Sequence, residues 1–459
     1  MGISLGEMNF LKDFVNDTRG DLYPLVEKSE GCVEQVSENR YRVLKGSAER
    51  VFCQLFPFAT YELNAESVNG SLGFVFRIPT AVAYVGIENG DNGVSFSYRC
   101  GDRAERIDVP DGASPCLQWL VTLRPGFFDI YCRRNGRAEH FYTVSEPLFS
   151  ESNRYAEFKD GNVSLYASGE VSVISVVACL DNGVSIADFR AVRYEDGSVI
   201  RECGKIWFTA SVRTEAGNYQ AILSWVPGTM QMEMTGALFF DSGDGFWRGY
   251  IASILLFNRM DEKWYVWTST FAHEHILAYG QFDGDPRFGV NVADVTVMQK
   301  ANVDTPETEF LGFVHDEDPD LIYDRDNDRW ILAICRLSKQ TKKYVYMFFE
   351  SKDPFEGFRY IGRGAEGASE TGGSFLRVDG EIFFVCGNSF ERRSEYRIYG
   401  KNGMKNAAFR YPDGGFRGWG CVIPVTLGSR TRYFWLTFDR HNGSAYNWSY
   451  GNIYCFEAE

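Results

Sequence analysis

The chain has 459 residues, 16% of them aromatic, and a formal net charge of −15 at pH 7. Such a negative charge argues against nucleic-acid binding, because phosphate contacts need an excess of Lys and Arg on one face. No apolar run reaches the length of a membrane-spanning helix, so we expect no membrane insertion. A chain of this length is expected to form two or three domains.

Residues 1–30 are predicted to be a polar lead-in segment, in which residues 6–17 are the best candidate for a short helix. The first residues lack the basic and then apolar pattern of a signal peptide. We therefore expect a cytoplasmic protein, or a periplasmic or secreted one if a signal peptide has been removed.

Residues 31–183 contain short alternating runs that are typical of strands. Turn signals such as Asn89-Gly90 and Asp160-Gly161 separate these runs. Many short strands at this spacing predict a β-sandwich domain.

Residues 184–459 carry a repeat in which a polar or Gly-containing turn leads into an aromatic-rich strand. The aromatic residues that open these strands are separated by 57, 66, 53 and 50 residues; they are Trp207, Trp264, Trp330, Phe383 and Tyr433. A hairpin that recurs at about this period is typical of propeller blades, and five copies fit the length. The sequence thus predicts an all-β protein, with an N-terminal β-sandwich followed by a five-bladed β-propeller that is the catalytic domain.

Three carboxylates precede the predicted hairpins at similar distances. Asp196 lies 11 residues before Trp207, Asp318 lies 12 before Trp330, and Glu370 lies 13 before Phe383. Equivalent places in different blades converge on the central funnel, where carboxylates repel each other and are partly desolvated. One pKa then rises while another stays low, which provides an acid and a base. Pairs of carboxylates of this kind cleave glycosidic bonds.

The segments around these carboxylates resemble glycoside hydrolase family 43 and its five-bladed relatives, and the plan resembles that of the pectin 2-keto-sugar-acid hydrolases. Residues 196–209 resemble the opening blade, Asp318-Pro319 the second acidic motif, and residues 370–375 the Glu-Gly-Pro motif. Gly197 stands where the family has Pro, and Glu366-Gly367 is a competing match for the third motif.

The resemblance implies a role for each carboxylate. Asp196 would be the general base, Asp318 would orient and tune the acid, and Glu370 would be the general acid. It also implies inversion, because the base activates a water molecule.

Sugar contacts are predicted for five further residues. Aromatic faces stack on sugar rings, and glycines beside Trp419 would let its ring face outward. Arginine binds carboxylates through two parallel hydrogen bonds. The predicted substrate-binding residues are His273, His315, Arg417, Trp419 and Arg440.

Neither a metal nor a cofactor is expected. The 11 cysteines show no CxxC spacing, and most lie in apolar, strand-like runs such as those around Cys335 and Cys386. This pattern predicts buried free thiols, not a zinc site.

The functional prediction is a monomeric glycoside hydrolase that cleaves a complex, acidic plant polysaccharide such as pectin with inversion. Its expected partner is the oligosaccharide or polysaccharide substrate. Two alternatives stay open: a polysaccharide lyase that uses His and Tyr, and a non-catalytic glycan-binding propeller.

Overall fold

The computed structural model describes residues 9–14, 33–37, 40–43 and 47–458, apart from short internal ranges. Those ranges are 91–92, 110–116, 135–136, 181–184, 215–216, 230–231, 271–274, 299–302, 305–314, 339–340, 365–368, 389–394, 409–418, 428–429 and 441–449. Within the described residues nearly all regular structure is β-strand. The exceptions are a 3-10 helix (Pro147–Phe149) and α1 (Tyr155–Phe158).

An N-terminal strand, β1 (Asn9–Phe14), lies inside the predicted lead-in segment. The helix predicted for residues 6–17 is therefore wrong over this stretch. β1 pairs antiparallel with the last strand of the chain. A pairing partner from the far end of the sequence supplies the backbone hydrogen bonds, and a local pattern cannot reveal it.

Residues 33–180 form one sheet, in which eleven strands are described. These strands are β2 (Val33–Ser37), β3 (Arg40–Val43), β4 (Ser47–Gln54), β5 (Ala59–Ile78), β6 (Ala81–Gly90), β7 (Gly93–Cys100), β8 (Arg103–Asp108), β9 (Gln118–Arg124), β10 (Phe127–Arg134), β11 (Arg137–Ser145) and β12 (Asn162–Leu180).

Two long strands, β5 and β12, hold this sheet together. They pair along nearly their whole length, and Gly70 lies opposite Gly169. Both glycines have positive φ, and a Cβ on Gly70 would lie 2.1 Å from the Ser168 carbonyl oxygen. The first part of β5 pairs with β9 and its second part with β6, and β12 likewise pairs first with β4 and then with β3.

Side chains from the two parts of this sheet share one core. Phe74 of β5 and Phe96 of β7 pack on Trp119 of β9, with ring centroids 5.4 and 5.7 Å apart. The sequence predicted a sandwich of short strands. The described strands are hydrogen-bonded into one continuous sheet, because two strands of 20 and 19 residues run through both parts.

Residues 185–458 form the remaining sheets. The first has ten strands: β13 (Ser185–Ala191), β14 (Arg193–Tyr194), β15 (Arg201–Glu202), β16 (Lys205–Thr214), β17 (Gly217–Trp225), β18 (Met232–Asp241), β19 (Ile251–Asn258), β20 (Lys263–Ser269), β21 (Leu277–Phe282) and β22 (Gly289–Val297). The second has β23 (Val303–Asp304), β24 (Asp316–Asp324), β25 (Arg329–Leu337), β26 (Tyr344–Ser351) and β27 (Phe358–Arg363). The third has β28 (Glu370–Val378), β29 (Glu381–Asn388), β30 (Glu395–Gly400) and β31 (Gly403–Ala408). The last joins β32 (Cys421–Leu427), β33 (Arg430–Arg440) and β34 (Tyr450–Ala458) to β1.

The predicted aromatic strands all occupy second positions in antiparallel runs. Trp330, Phe383 and Tyr433 lie in β25, β29 and β33, each in its own sheet. Trp207 and Trp264 lie in β16 and β20 and share the ten-stranded sheet, because β18 and β22 pair in parallel.

The first strands of these runs contact one another in cyclic order. β13 contacts β19, then β24, β28 and β32 follow, and β32 contacts β13 again. Four of the five carry a bulge with one residue at positive φ: Asp188 (56°), Ala252 (55°), Asp318 (48°) and Gly372 (60°). Residues other than Gly rarely adopt this conformation, and such strain collects at functional sites.

Aromatic side chains join the N-terminal sheet to the ten-stranded sheet. The Phe56 ring lies 5.4 Å from that of Phe239 and 6.0 Å from that of Trp247, and Tyr155 stacks on Trp247. In the part of the chain that the structure describes, no helix is long and apolar enough to cross a membrane. Cys53, Cys335, Cys386 and Cys455 are buried free thiols, which confirms that prediction for these four residues.

Candidate active site

Two aspartates lie in the first strands of these runs, and the charge of one acts on the other. Asp188 of β13 and Asp318 of β24 occupy equivalent bulges and are 4% and 3% exposed. Burial raises the pKa of Asp318, and the negative charge of Asp188 raises it further. A carboxyl group that resists ionisation beside a second carboxylate is the arrangement that separates an acid from a base.

Backbone and side-chain donors fix the orientation of Asp318. Its Oδ2 accepts hydrogen bonds from Thr371 Oγ1 at 2.6 Å and from the Gly372 amide at 2.9 Å. Its own amide donates to Ser269 Oγ at 2.9 Å. Two other strands, β28 and β20, therefore hold this one residue.

Asp188 and Asp318 share a buried cation, Arg190. Its side chain is fully buried, and its positive charge lowers the pKa of Asp318 in opposition to burial and Asp188. Nη1 donates to the Phe189 carbonyl oxygen at 3.0 Å. Among the described residues, its Nε and Nη2 have no hydrogen-bond partner. Arg190 thus acts on the carboxylates through its charge.

Glu370 lies next to Thr371 on β28 but its side chain turns to other strands. It accepts hydrogen bonds from the Tyr346 amide at 2.9 Å, from Arg397 Nη1 at 2.8 Å and from the Tyr399 hydroxyl. The side chain is 1% exposed. These contacts link β28 to β26 and β30, and they engage both carboxylate oxygens.

Glu317 is a third carboxylate near Asp318, which follows it in the chain. Ligand atoms of Glu317, Asp318 and Cys335 lie within 4.8 Å of one another, and His275 Nδ1 lies 3.7 Å from Glu317. Carboxylate and thiolate are metal ligands. The charge of Arg190 acts on Asp318 and opposes a cation there, so these residues fit a carboxylate pair better than a metal site.

Asp196 lies at the opposite end of the same strands. The Tyr323 amide, five residues beyond Asp318 on β24, donates to the carbonyl oxygen of Glu195, the neighbour of Asp196. Five residues of strand span about 16 Å. The structure therefore does not bring Asp196 to Asp318 and Asp188.

The carboxylate of Asp196 is bound by partners of its own. Ser198 donates to Oδ1 from its amide at 3.0 Å and its hydroxyl at 2.6 Å, and Arg259 lies 2.7 Å from Oδ2. Burial would raise the pKa of Asp196, but these contacts outweigh it and lower the pKa. Asp196 caps a turn beside Arg259 and Arg325.

The residues that were predicted to bind sugar are not all in the described part of the chain. His315 is half-buried, with its ring centroid 6.2 Å from that of His275. The Trp419 ring is 5% exposed, so it is buried where the sequence predicted an outward face. Arg440 ends β33, and its side chain lies outside the described part, as do the whole of His273, Arg417 and the competing Glu366.

Sequence reasoning missed Asp188 because the first hairpin is longer than the others. Asp188 lies 19 residues before Trp207, whereas Asp318 lies 12 before Trp330. The extra length holds β14 and β15 and the turn that carries Asp196. An acidic residue inside the apolar run from Ile186 was the available signal.

Comparisons with known proteins give a distant structural likeness. No family model matches the sequence, and no curated protein matches it. One similar solved structure is a family GH43 β-1,3-galactosidase with galactodeoxynojirimycin, at 13% identity over 59% of this chain and 94% of that chain, with a TM-score of 0.39. Another is a GH62 hydrolase in complex with xylotriose, at 12% identity, 60% and 92% coverage and a TM-score of 0.40.

Bacillus subtilis levansucrase is also similar, at 9% identity over 60% of this chain and 83% of that chain, with a TM-score of 0.39.

Proposed function

We propose that the protein is a glycoside hydrolase in which Asp188 and Asp318 form the acid–base pair. The observation that supports it is their placement in equivalent strained bulges, where the charge of one acts on the proton affinity of the other. Strain and like-charge repulsion both cost stability, and both are typical of catalytic sites.

The fold proposed for residues 184–459 is a five-bladed propeller, with Asp188 and Asp318 at its axis. Support comes from the cyclic contacts of β13, β19, β24, β28 and β32 and from the bulges that recur in them. In this architecture, β1 completes the last blade by pairing with β34.

The two aspartates take different roles in the proposed reaction. Asp318 resists ionisation, so it is the residue that protonates the glycosidic oxygen. Asp188 is the base that activates water, the role predicted from sequence for Asp196. Glu317 supplies a third carboxylate within 4.8 Å of Asp318, and Glu370 serves as a link between strands.

The proposed substrate is a complex acidic polysaccharide, such as pectin, that is cleaved with inversion. Support for an acidic sugar comes from the sequence, which carries Arg417 and Arg440 close to the last predicted blade. Proton NMR of the first-formed anomer distinguishes inversion from retention.

The experiment is a screen of pectic oligosaccharides and aryl glycosides, followed by variants on any substrate that is cleaved. Asp188→Asn and Asp318→Asn should each lower kcat by roughly 10²- to 10⁴-fold, the usual contribution of general acid–base catalysis. Asp196→Asn is the matched control, with the same change in charge at the other end of the strands, and should keep its activity. Near-normal turnover of both Asp188→Asn and Asp318→Asn would refute the proposal.

A lyase would instead release an unsaturated uronate that absorbs ultraviolet light.

One observation favours a second function, a non-catalytic glycan-binding propeller. Asp188 and Asp318 are almost fully buried, and the Trp419 indole covers Asp188. Calorimetric binding of an oligosaccharide that is never cleaved would support this alternative.

A further inference from the structure

The side chain of Trp419 reaches the center of the candidate site just before β32 begins. Its Nε1 donates a hydrogen bond to Asp188 Oδ1 at 2.6 Å. The ring is 5% exposed and meets Phe438 edge to face, with centroids 5.4 Å apart. A short hydrogen bond from a buried, packed ring restricts the rotation of the carboxylate that receives it.

Two glycines on neighbouring strands make room for this indole. A Cβ on Gly372 of β28 would lie 1.8 Å from Trp419 Cδ1, and one on Gly387 of β29 would lie 2.8 Å from Trp419 Cβ. Thr371, which precedes Gly372, is paired with Gly387 in the ladder. Any larger residue at either position would move the ring.

The indole also connects the two aspartates. Gly372, against which the ring lies, donates its amide hydrogen to Asp318 Oδ2 at 2.9 Å. An indole nitrogen is a donor only, so it cannot exchange roles with the carboxylate. Displacement of the ring would therefore change the orientation of Asp188 and the contact beside Asp318.

We propose that Trp419 is a positioning residue for Asp188, and that Gly372 and Gly387 are glycines because they admit its ring. The inference rests on the proposed function and assigns to Trp419 a role other than sugar stacking. A misplaced catalytic group slows the chemical step, since a displacement of about 1 Å can cost roughly 10²-fold in rate.

The kinetic test compares Trp419→Phe with Trp435→Phe. Trp435 is a buried indole in β33 that packs on Tyr396. Trp419→Phe should lower kcat by roughly 10- to 100-fold with KM within about twofold. Trp435→Phe controls for the loss of a buried indole and should leave kcat unchanged. A rise in KM with unchanged kcat would show that Trp419 binds sugar and would overturn the proposal.

A crowding variant tests the glycines without removal of the donor. Gly387→Ala should lower kcat in the same way as Trp419→Phe, because its Cβ would push on Trp419 Cβ and so shift the attached indole. Gly400→Ala is its control, since the added Cβ would crowd Phe383 at 3.0 Å instead of Trp419. Equal kcat values for the two variants would overturn the role proposed for Gly387.

A spectroscopic test needs no substrate. In the ¹⁵N-labelled protein, the indole N–H signal that disappears in Trp419→Phe should lie downfield and move upfield in Asp188→Asn. Asp196→Asn should leave it in place. If Asp188→Asn does not move the signal, the proposed contact is wrong, whatever the activity. If the signal moves but no glycoside is cleaved, the contact stands and the hydrolase proposal fails.

Discussion

Buried carboxylates lie in opposite electrostatic settings beside the two ends of β24. At one end, Asp318 faces Asp188, and burial and this neighbour raise its pKa. At the other end, Glu195 and Asp196 face Arg259 and Arg325. Burial would raise the pKa of Glu195, but hydrogen bonds from both arginines outweigh it and lower the pKa.

This contrast separates carboxylates that stabilise the fold from those that are available for chemistry. A carboxylate matched with arginines gains stability from its charge. A carboxylate placed beside another carboxylate loses stability at neutral pH, and a protein keeps such a pair where it has a function. Sequence offsets alone could not distinguish Asp196 from Asp188, because both are aspartates near one hairpin.

Between the two ends lies a buried ion pair, and its loss should have the largest effect on stability. Arg193 and Asp320 are 2% and 0% exposed and pair with each other, and Arg193 also donates to the Phe375 carbonyl oxygen at 3.0 Å. Asp320→Asn leaves a buried guanidinium without its counter-charge and should cost about 3–5 kcal/mol. Urea unfolding at pH 7 measures the free energy of unfolding.

The control for Asp320→Asn is Glu151→Gln, which breaks an exposed pair with Arg154 and should cost at most about 1 kcal/mol. A loss below about 1 kcal/mol for Asp320→Asn would contradict the stabilising role assigned to the buried Arg193–Asp320 pair.

Neutralising a carboxylate should change the free energy of unfolding in opposite directions at the two ends of β24. At pH 7, Glu195→Gln should lower the free energy of unfolding by about 1–2 kcal/mol, less than for a fully buried pair because both arginines face solvent. Asp318→Asn should raise it, because it removes the cost of holding a carboxyl group whose pKa is raised by burial and by Asp188. Chemical unfolding of the two variants and of the wild type measures the direction of each change in the free energy of unfolding.

The pH dependence sharpens the same test. The pKa of Glu195 is lowered from 4.5, so its stabilisation is present above pH 4.5 and is lost as pH falls through the folded-state value. The pKa of Asp318 is raised from 3.8, so its favourable contribution is complete below pH 3.8 and is lost as pH rises through the folded-state value. The gain from Asp318→Asn should therefore shrink in acid. If Glu195→Gln and Asp318→Asn changed the free energy of unfolding in the same direction at pH 7, the contrast between the two ends of β24 would be wrong.

The smallest effect is expected from the turn that holds Asp196. Ser198→Ala removes the 2.6 Å hydroxyl contact but keeps the amide contact to the same oxygen. The loss should be about 0.5–1 kcal/mol, with turnover unchanged. Differential scanning calorimetry and the hydrolase assay together test this, and a loss of turnover would return Asp196 to the list of catalytic candidates.

Much of the β organisation follows from the sequence because its physical causes are local. Alternating apolar residues, aromatic strands and turn signals specify strands and hairpins within short windows. For this reason Trp330, Phe383 and Tyr433 lie in strands that follow a turn, as the repeat predicted. The same reasoning failed for residues 9–14, whose partner strand, β34, lies at the other end of the chain.

The sequence by itself determined that the chain is nearly all β, that aromatic hairpins recur in its second part and that Asp318 precedes one of them. Only the tertiary structure decided which carboxylate joins Asp318. The turn between β14 and β15 carries Asp196 to the far end, whereas the bulge of β13 holds Asp188 where its charge acts on Asp318. The position of Trp419 was likewise decided by space, since Gly372 and Gly387 come from two other strands. Local patterns specify elements, whereas long-range pairing and packing specify which side chains meet.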